Sequence, residues 1–219
     1  MTTTDELIQK LGADVHAVTP LRPPVLQAGT WLVVAFAIVG ALVLSRGLRP
    51  DLSAEFAKPA VLLEWIASVL TGLLPAVATF HVSIPGRSVR WALLPAPAVA
   101  LWLITLSIGC LTDWFRLGTS GLEVGLSVGC FQTIVFTSVP LGLTLLLMVR
   151  HAGPVRPGLT VLLGGLSVAA LSAAGLSLFH HLNSSLMVLL SHGTGVGFVM
   201  LVGWATSGRL FRWVGLKPL

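Results

Sequence analysis

The stretch from Pro157 to Gly208 contains no Asp, Glu, Lys or Arg. It is too long for a single membrane pass of about 20 residues. The polar run from His180 to Ser185 divides it, which predicts a fifth span over Leu159–Phe179 and a sixth over Leu186–Ala205. Only 10% of the whole chain is charged, against about 25% in soluble domains. This composition excludes an ordinary soluble domain and indicates a protein that folds in a bilayer.

Charged residues bound four further apolar intervals, each long enough for one transmembrane helix. These predicted spans are Leu26–Leu44, Val61–Phe80, Trp91–Leu111 and Val124–Met148. Such runs are too long for barrel strands. The predicted fold class is therefore all-α, a polytopic integral membrane protein with six transmembrane helices. The predicted domains are an N-terminal tail (residues 1–25), a six-helix transmembrane domain (26–208) and a C-terminal tail (209–219).

The basic residues predict the orientation of the bundle, because cytoplasmic loops are enriched in Lys and Arg. With the N-terminus inside, the nine inner cations are Lys10, Arg22, Arg87, Arg90, Arg150, Arg156, Arg209, Arg212 and Lys217. The four outer cations are then Arg46, Arg49, Lys58 and Arg116. The excess predicts that both tails are cytoplasmic.

The N-terminal tail has the pattern of a short amphipathic helix. Thr3 and Glu6 have the spacing of a capping box. An apolar stripe at helical spacing follows, formed by Leu7, Ile8, Leu11 and Val15. The segment ends at the membrane with Arg22, Pro23 and Pro24. Because residues 1–20 hold three acids and only one Lys, the stripe is expected to bind a protein partner rather than the bilayer surface.

Both cysteines and several histidines fall in the outer half of the predicted bundle. Cys110 ends the third span, and Cys130 lies about two turns into the fourth from the same side. His181 lies in the outer loop, and His192 lies about two turns below it in the sixth span. Thiols and imidazoles suit transition or heavy metal ions, and a thiol pair also responds to oxidants. The alternative is that the cysteines are small packing residues and the histidines are solvated. A disulfide between the two cysteines is borderline by predicted depth.

Glycines and tryptophans give expectations for packing. Small residues spaced four apart let helices approach closely in lipid. The candidates are Gly121, Gly125, Gly129, Gly193 and Gly197. Trp31 and Trp65 lie near predicted span ends, where interfacial anchors are expected, whereas Trp102 lies in mid-span and is predicted to be core.

The sequence gives less support to two other functions. A small-solute or ion transporter usually needs ionisable groups at membrane depth, and the predicted spans hold only Glu64 and His192. Ser127 lies in a G-x-S-x-G string, and with His192 it resembles the dyad of rhomboid intramembrane proteases. That family places Gly directly after the serine, where this chain has Val128. We therefore do not expect an enzyme.

A set of short strings in order along nearly the whole chain resembles the NrsF family, bacterial inner-membrane anti-sigma factors with six spans and a cytoplasmic N-terminal tail. The strings are Leu21-Arg22-Pro23-Pro24, Ser83-Ile84-Pro85-Gly86-Arg87-Ser88, Arg90-Trp91-Ala92-Leu93-Leu94-Pro95, Gly109-Cys110, Asp113-Trp114, Cys130, Arg156-Pro157-Gly158-Leu159 and Ser185-Leu186-Met187-Val188-Leu189-Leu190-Ser191-His192.

The resemblance implies a partner and a signal. The tail would hold an extracytoplasmic-function sigma factor at the inner membrane, without direct contact to nucleic acid. The family's two cysteines are implicated in sensing, which would make Cys110 and Cys130 the receiver of metal or oxidative stress. A metal ion at the cysteines and histidines and a homo-oligomer are further expectations.

Overall fold

The computed structural model describes residues 3–13, 21–117, 128–150, 155–180 and 185–213. Within these ranges all regular structure is helical. The α-helices are α1 (Thr4–Ala13), α2 (Pro24–Arg46), α3 (Leu52–Phe56), α4 (Pro59–Val82), α5 (Ala96–Leu117), α6 (Val128–Val149), α7 (Pro157–Leu176) and α8 (Ser185–Trp213). A 3-10 helix, Val89–Leu93, precedes α5. The predicted all-α class is thus confirmed for the described residues.

Five helical stretches are long and apolar enough to cross a membrane. They are Pro24–Arg46, Pro59–Val82, Val89–Thr112, Phe131–Val149 and Pro157–Leu176. Helix α8 covers the sixth predicted span but is not among them, so six spans and their direction stay predictions. Proline occupies the first position of α2, α4 and α7, where its fixed φ suits the helix and its missing N–H costs nothing.

Helix α7 lies at the centre and packs antiparallel to α4. The side chain of Trp65 meets Ala174, and Gly72 meets Leu171. A Cβ on Gly72 would lie 2.6 Å from two Leu171 carbons, so only glycine allows this approach. The hydroxyl of Ser167 donates to the Gly72 carbonyl at 2.5 Å. Close backbones and an interhelical hydrogen bond hold this pair, as expected in lipid.

The role of the α8 glycines Gly193 and Gly197 in packing stays a prediction, because neither contacts another described helix of this chain. Gly193 and Gly197 are exposed, and a Cβ on either would meet nothing within 4 Å. The glycines of α8 that do contact other helices are Gly195, against Ile134, and Gly203, against Val161. Glycines four residues apart lie on one face of a helix, but this spacing does not show whether that face packs against another helix of the same chain. Gly121 and Gly125 lie outside the described residues, and Gly129 lies in α6.

The tryptophans also differ from expectation. Trp31 is completely buried, and its indole N–H donates to the Leu141 carbonyl at 3.3 Å and to Thr144 Oγ1 at 3.2 Å. It therefore joins α2 to α6 instead of anchoring at the interface. Trp65 donates to the Ala174 carbonyl at 3.1 Å. Trp102 is buried, as predicted.

Candidate functional site

The tail helix α1 is fixed at its start by the predicted capping box. The Thr3 amide donates to Glu6 Oε2 at 3.0 Å, and the Glu6 amide donates to Thr3 Oγ1 at 3.4 Å. Asp5 and Glu6 occupy the first turn and Lys10 the last, which complements the helix dipole. These local interactions define a helix in a segment that is otherwise too short to be stable alone in water.

The first two residues of the apolar stripe in α1, Leu7 and Ile8, are not buried by the bundle. Leu7 is 50% exposed and Ile8 is 61% exposed. Leu11 lies one turn after Leu7 on the same helix, whereas Val15 falls outside the described residues. Exposed large apolar side chains next to one another on a short helix indicate a surface for a partner.

The candidate binding residues at the membrane end of the tail, Arg22, Pro23 and Pro24, make local contacts at the start of α2. Pro24 is buried at the first position of α2, and Pro23 precedes it in an extended conformation. The Arg22 carbonyl accepts a hydrogen bond from Gln27 Nε2 at 2.8 Å. These contacts fix the start of α2, and so set where the tail leaves the bundle.

Two cysteines and two histidines lie toward one end of the bundle. One core cluster joins residues from α5, α6, α7 and α8, namely Leu106, Ile134, Leu176 and Val196. Four residues beyond each of them, toward the same end, the chain carries Cys110, Cys130, His180 and His192. Four residues are about one turn within α5, α6 and α8, whereas His180 follows the end of α7. We call this set the cysteine–histidine end.

The individual side chains differ in environment. Cys110 is a free thiol and is half-buried. His192 is only 2% exposed, and its Nε2 has no hydrogen-bond partner among the described residues. His180 lies within electrostatic range of that imidazole. Nothing is described for the Cys130 side chain or for His181.

A buried imidazole nitrogen without a partner fits a metal ligand, because burial of an unpaired polar atom is costly. Among the described residues, however, no three His, Cys, Asp or Glu side chains are grouped to hold an ion. The described residues therefore supply one buried nitrogen donor, His192 Nε2, and no complete ligand set.

A cavity of about 320 Å³ opens at this same end. Its walls are Arg46, Gly129, Thr133, Leu176, Phe179 and His180. Polar and apolar residues from α2, α6 and the segment after α7 therefore line one cavity. One of its lining residues, Gly129, directly precedes Cys130 in the sequence. Ser127, the alternative nucleophile, lies outside the described residues.

Together these features define a polytopic helical protein of the kind that crosses a membrane, with a short exposed amphipathic helix in front of its bundle. The chain belongs to the NrsF family, described as negative regulator of sigma F, whose model matches residues 11–213. The match covers nearly the whole chain, including both cysteines and His192, and begins after Leu7 and Ile8. No curated protein and no solved structure matches the chain.

Proposed function

We propose that this member of the NrsF family is an anti-sigma factor of the bacterial inner membrane that binds an extracytoplasmic-function sigma factor through α1. The observation that carries the proposal is the capped helix with exposed Leu7 and Ile8. An amphipathic helix of this kind binds by laying its apolar face into a hydrophobic groove of a partner. The acidic start of α1 makes the bilayer surface a poor alternative partner.

Sequestration at the membrane explains negative regulation without any contact to nucleic acid. A sigma factor held by a tail on the cytoplasmic side cannot join RNA polymerase. The proposed orientation, with both tails inside, rests on the nine inner cations against four outer ones. It places α1 inside and the cysteine–histidine end outside.

The cysteine–histidine end is the proposed receiver. Oxidation of Cys110 and Cys130, or binding of a transition or heavy metal ion by these thiols with His192 and His181, would favour one packing of α5, α6 and α8. Support comes from the positions of Cys110, Cys130 and His192, each one helical turn beyond the same core cluster. A tenfold change in sigma affinity requires about 1.4 kcal/mol of coupling between the two ends.

The tail assignment is tested by co-purification from membranes, with captured sigma factors identified by mass spectrometry. The double variant Leu7→Asp with Leu11→Asp places two charges in the stripe. We expect capture to fall about 30-fold, the equivalent of losing about 2 kcal/mol at a central contact. Gln9→Asp is the control for charge alone, because it adds one negative charge to an exposed position of α1 outside the stripe. Equal capture by the double variant and the wild type would refute the assignment.

A further inference from the structure

The cavity between the end of α2, α6 and the segment after α7 has the size and shape of a small-molecule site. Its volume of about 320 Å³ lies at the lower end of the range for such sites. Arg46 and Gly129 on its walls are exposed, whereas Leu176 is only 1% exposed. The cavity therefore deepens from the two exposed residues toward the core cluster that contains Leu176.

The formal charge on the described walls of this cavity is positive. Arg46 is the last residue of α2 and forms no ion pair with any described residue. The next two cations along the chain are paired instead, Arg49 with Asp51 at 2.6 Å and Lys58 with Glu55 at 2.7 Å. No Asp or Glu is among the described residues that line the cavity. A guanidinium on such a wall attracts an anion and disfavours a metal cation inside the cavity.

Two further polar side chains line the same cavity. His180 follows the end of α7, and its backbone N–H donates to the Leu176 carbonyl at 3.0 Å, which fixes the residue beside the cavity. Its imidazole adds a second polar group, and in the protonated form a second cation. The Thr133 hydroxyl donates to the Gly129 carbonyl at 2.8 Å, so it offers lone pairs rather than a proton. The anion is therefore bound mainly by Arg46.

Leu176 and Phe179 make part of the wall apolar. The Phe179 amide also donates to the Leu176 carbonyl, at 3.2 Å, so both residues belong to the turn that ends α7. A bare inorganic ion would use only the polar part of these walls, whereas a ring could pack against Phe179. One guanidinium balances one negative charge, and its planar fork matches a carboxylate. The walls thus fit a monoanion with one carboxylate and an apolar body.

We propose that this cavity binds a small organic carboxylate that pairs with Arg46 and packs its apolar body against Leu176 and Phe179. Such a ligand would contact α2, α6 and the segment after α7 together, and so stabilise the folded bundle. The site requires no sigma factor, so its test can fail while the proposed function holds. The phosphate of a lipid headgroup is the alternative anion, and the test separates it from a free acid.

The test uses the full-length protein in nanodiscs of phosphatidylcholine alone, with para-azidobenzoate as the photoreactive probe. The neutral probe is para-azidobenzyl alcohol, which has the same ring and no charge. Mass spectrometry locates the adducts after irradiation, with and without excess benzoate. We expect adducts in segments 129–133 and 176–180 that benzoate displaces, about tenfold above those of the neutral probe. Equal labelling by the two probes, or labelling that benzoate does not displace, would overturn the proposal.

Removing the cation should remove the preference for the charged probe. Arg46→Gln is expected to lower labelling by azidobenzoate about tenfold. Arg46→Lys keeps the charge but loses the planar fork, so an intermediate loss is expected. Lys58→Gln is the matched control, because it removes a cation that is already paired with Glu55. Unchanged labelling in Arg46→Gln, or an equal fall in Lys58→Gln, would refute the role of Arg46.

Filling the cavity should block both probes. Thr133→Phe places a ring inside the cavity. Thr30→Phe is the matched control, because the Thr30 hydroxyl likewise donates to a carbonyl four residues earlier, that of Leu26 at 2.9 Å, and Thr30 is not among the described residues of this cavity. Thermal unfolding checks that each variant is folded. Persistent labelling in folded Thr133→Phe contradicts the site.

The lipid alternative is tested by adding phosphatidylglycerol to the nanodiscs. Labelling by azidobenzoate should persist, because a small carboxylate and not a headgroup occupies the cavity. Loss of the label with phosphatidylglycerol, together with no displacement by free benzoate, would assign the cavity to a lipid phosphate and contradict the proposal.

Discussion

Helices α7 and α1 both carry apolar stretches, but the structure uses them in opposite ways. Every residue of α7 from Ser167 to Leu176 is buried, and small side chains there let α4 approach closely. In α1 the large residues Leu7 and Ile8 are exposed. Burial of small residues in α7 stabilises the bundle. The large apolar side chains of α1 stay in contact with solvent, so that burying them against a partner would favour binding. The comparison separates the contacts that hold the protein together from the exposed surface that we propose binds a sigma factor.

The largest expected effect is on the α4–α7 contact. Gly72→Leu would force a side chain into Leu171, whose backbone nitrogen also lies 3.3 Å from the added Cβ. We expect a loss of about 3 kcal/mol of stability, the upper end of ordinary overpacking costs. Thermal unfolding in detergent measures it, with Gly29→Leu as the control in open space. Equal stability of the two variants would show that this contact does not hold the bundle.

A smaller effect is expected from the interhelical hydrogen bond. Ser167→Ala removes the donor to the Gly72 carbonyl and should cost about 1 kcal/mol in the same assay. Ser172→Ala is the matched control, because that buried hydroxyl of α7 donates at 2.9 Å to Val168 in its own helix. A loss in the control as large as in Ser167→Ala would mean that the interhelical bond adds nothing.

The smallest expected effect is a loss of stability in helix α1 alone. Thr3→Ala removes half of the capping box and should cost α1 about 0.5 to 1 kcal/mol. Sigma capture should then fall two- to fivefold, while the melting temperature of the bundle stays unchanged. Thr4→Ala, one residue inside the helix, is the control. A change in bundle melting would remove the proposed separation between α1 and α7.

Local features were predictable from the sequence and the contacts between helices were not. The capping box involves residues three apart, and α2, α4 and α7 extend only two residues before the predicted starts of their spans. The role of Trp31 depends instead on Leu141, far along the chain. A tryptophan near a span end can lie at the membrane interface, or it can be buried with its indole N–H bonded to a carbonyl of another helix. The sequence does not decide between these two positions.

In the candidate site, too, some features can be predicted from the sequence and others depend on contacts between helices. Charge and depth predict that the cysteines and histidines lie in the outer half of the bundle, and their joint role stays a prediction; in the structure Cys110, Cys130 and His192 each lie one helical turn beyond the same core cluster. The sequence gives no sign that His192 is buried with an unpartnered Nε2. Nor does it show that Arg46 lines a cavity with His180, since the end of α2 and the segment after α7 are distant in sequence. Both features follow from how α2, α6, α7 and α8 converge.

The central claim is that the state of the cysteine–histidine end sets the affinity of α1 for a sigma factor. The most direct measurement places a photoreactive residue at Ile8, an exposed position of the stripe, and compares sigma crosslinking in membranes before and after oxidant treatment. The account predicts about tenfold less crosslinking after oxidation in the wild type. It predicts no change in Cys110→Ser. An equal fall in both proteins, or no sigma factor captured in either, would contradict it.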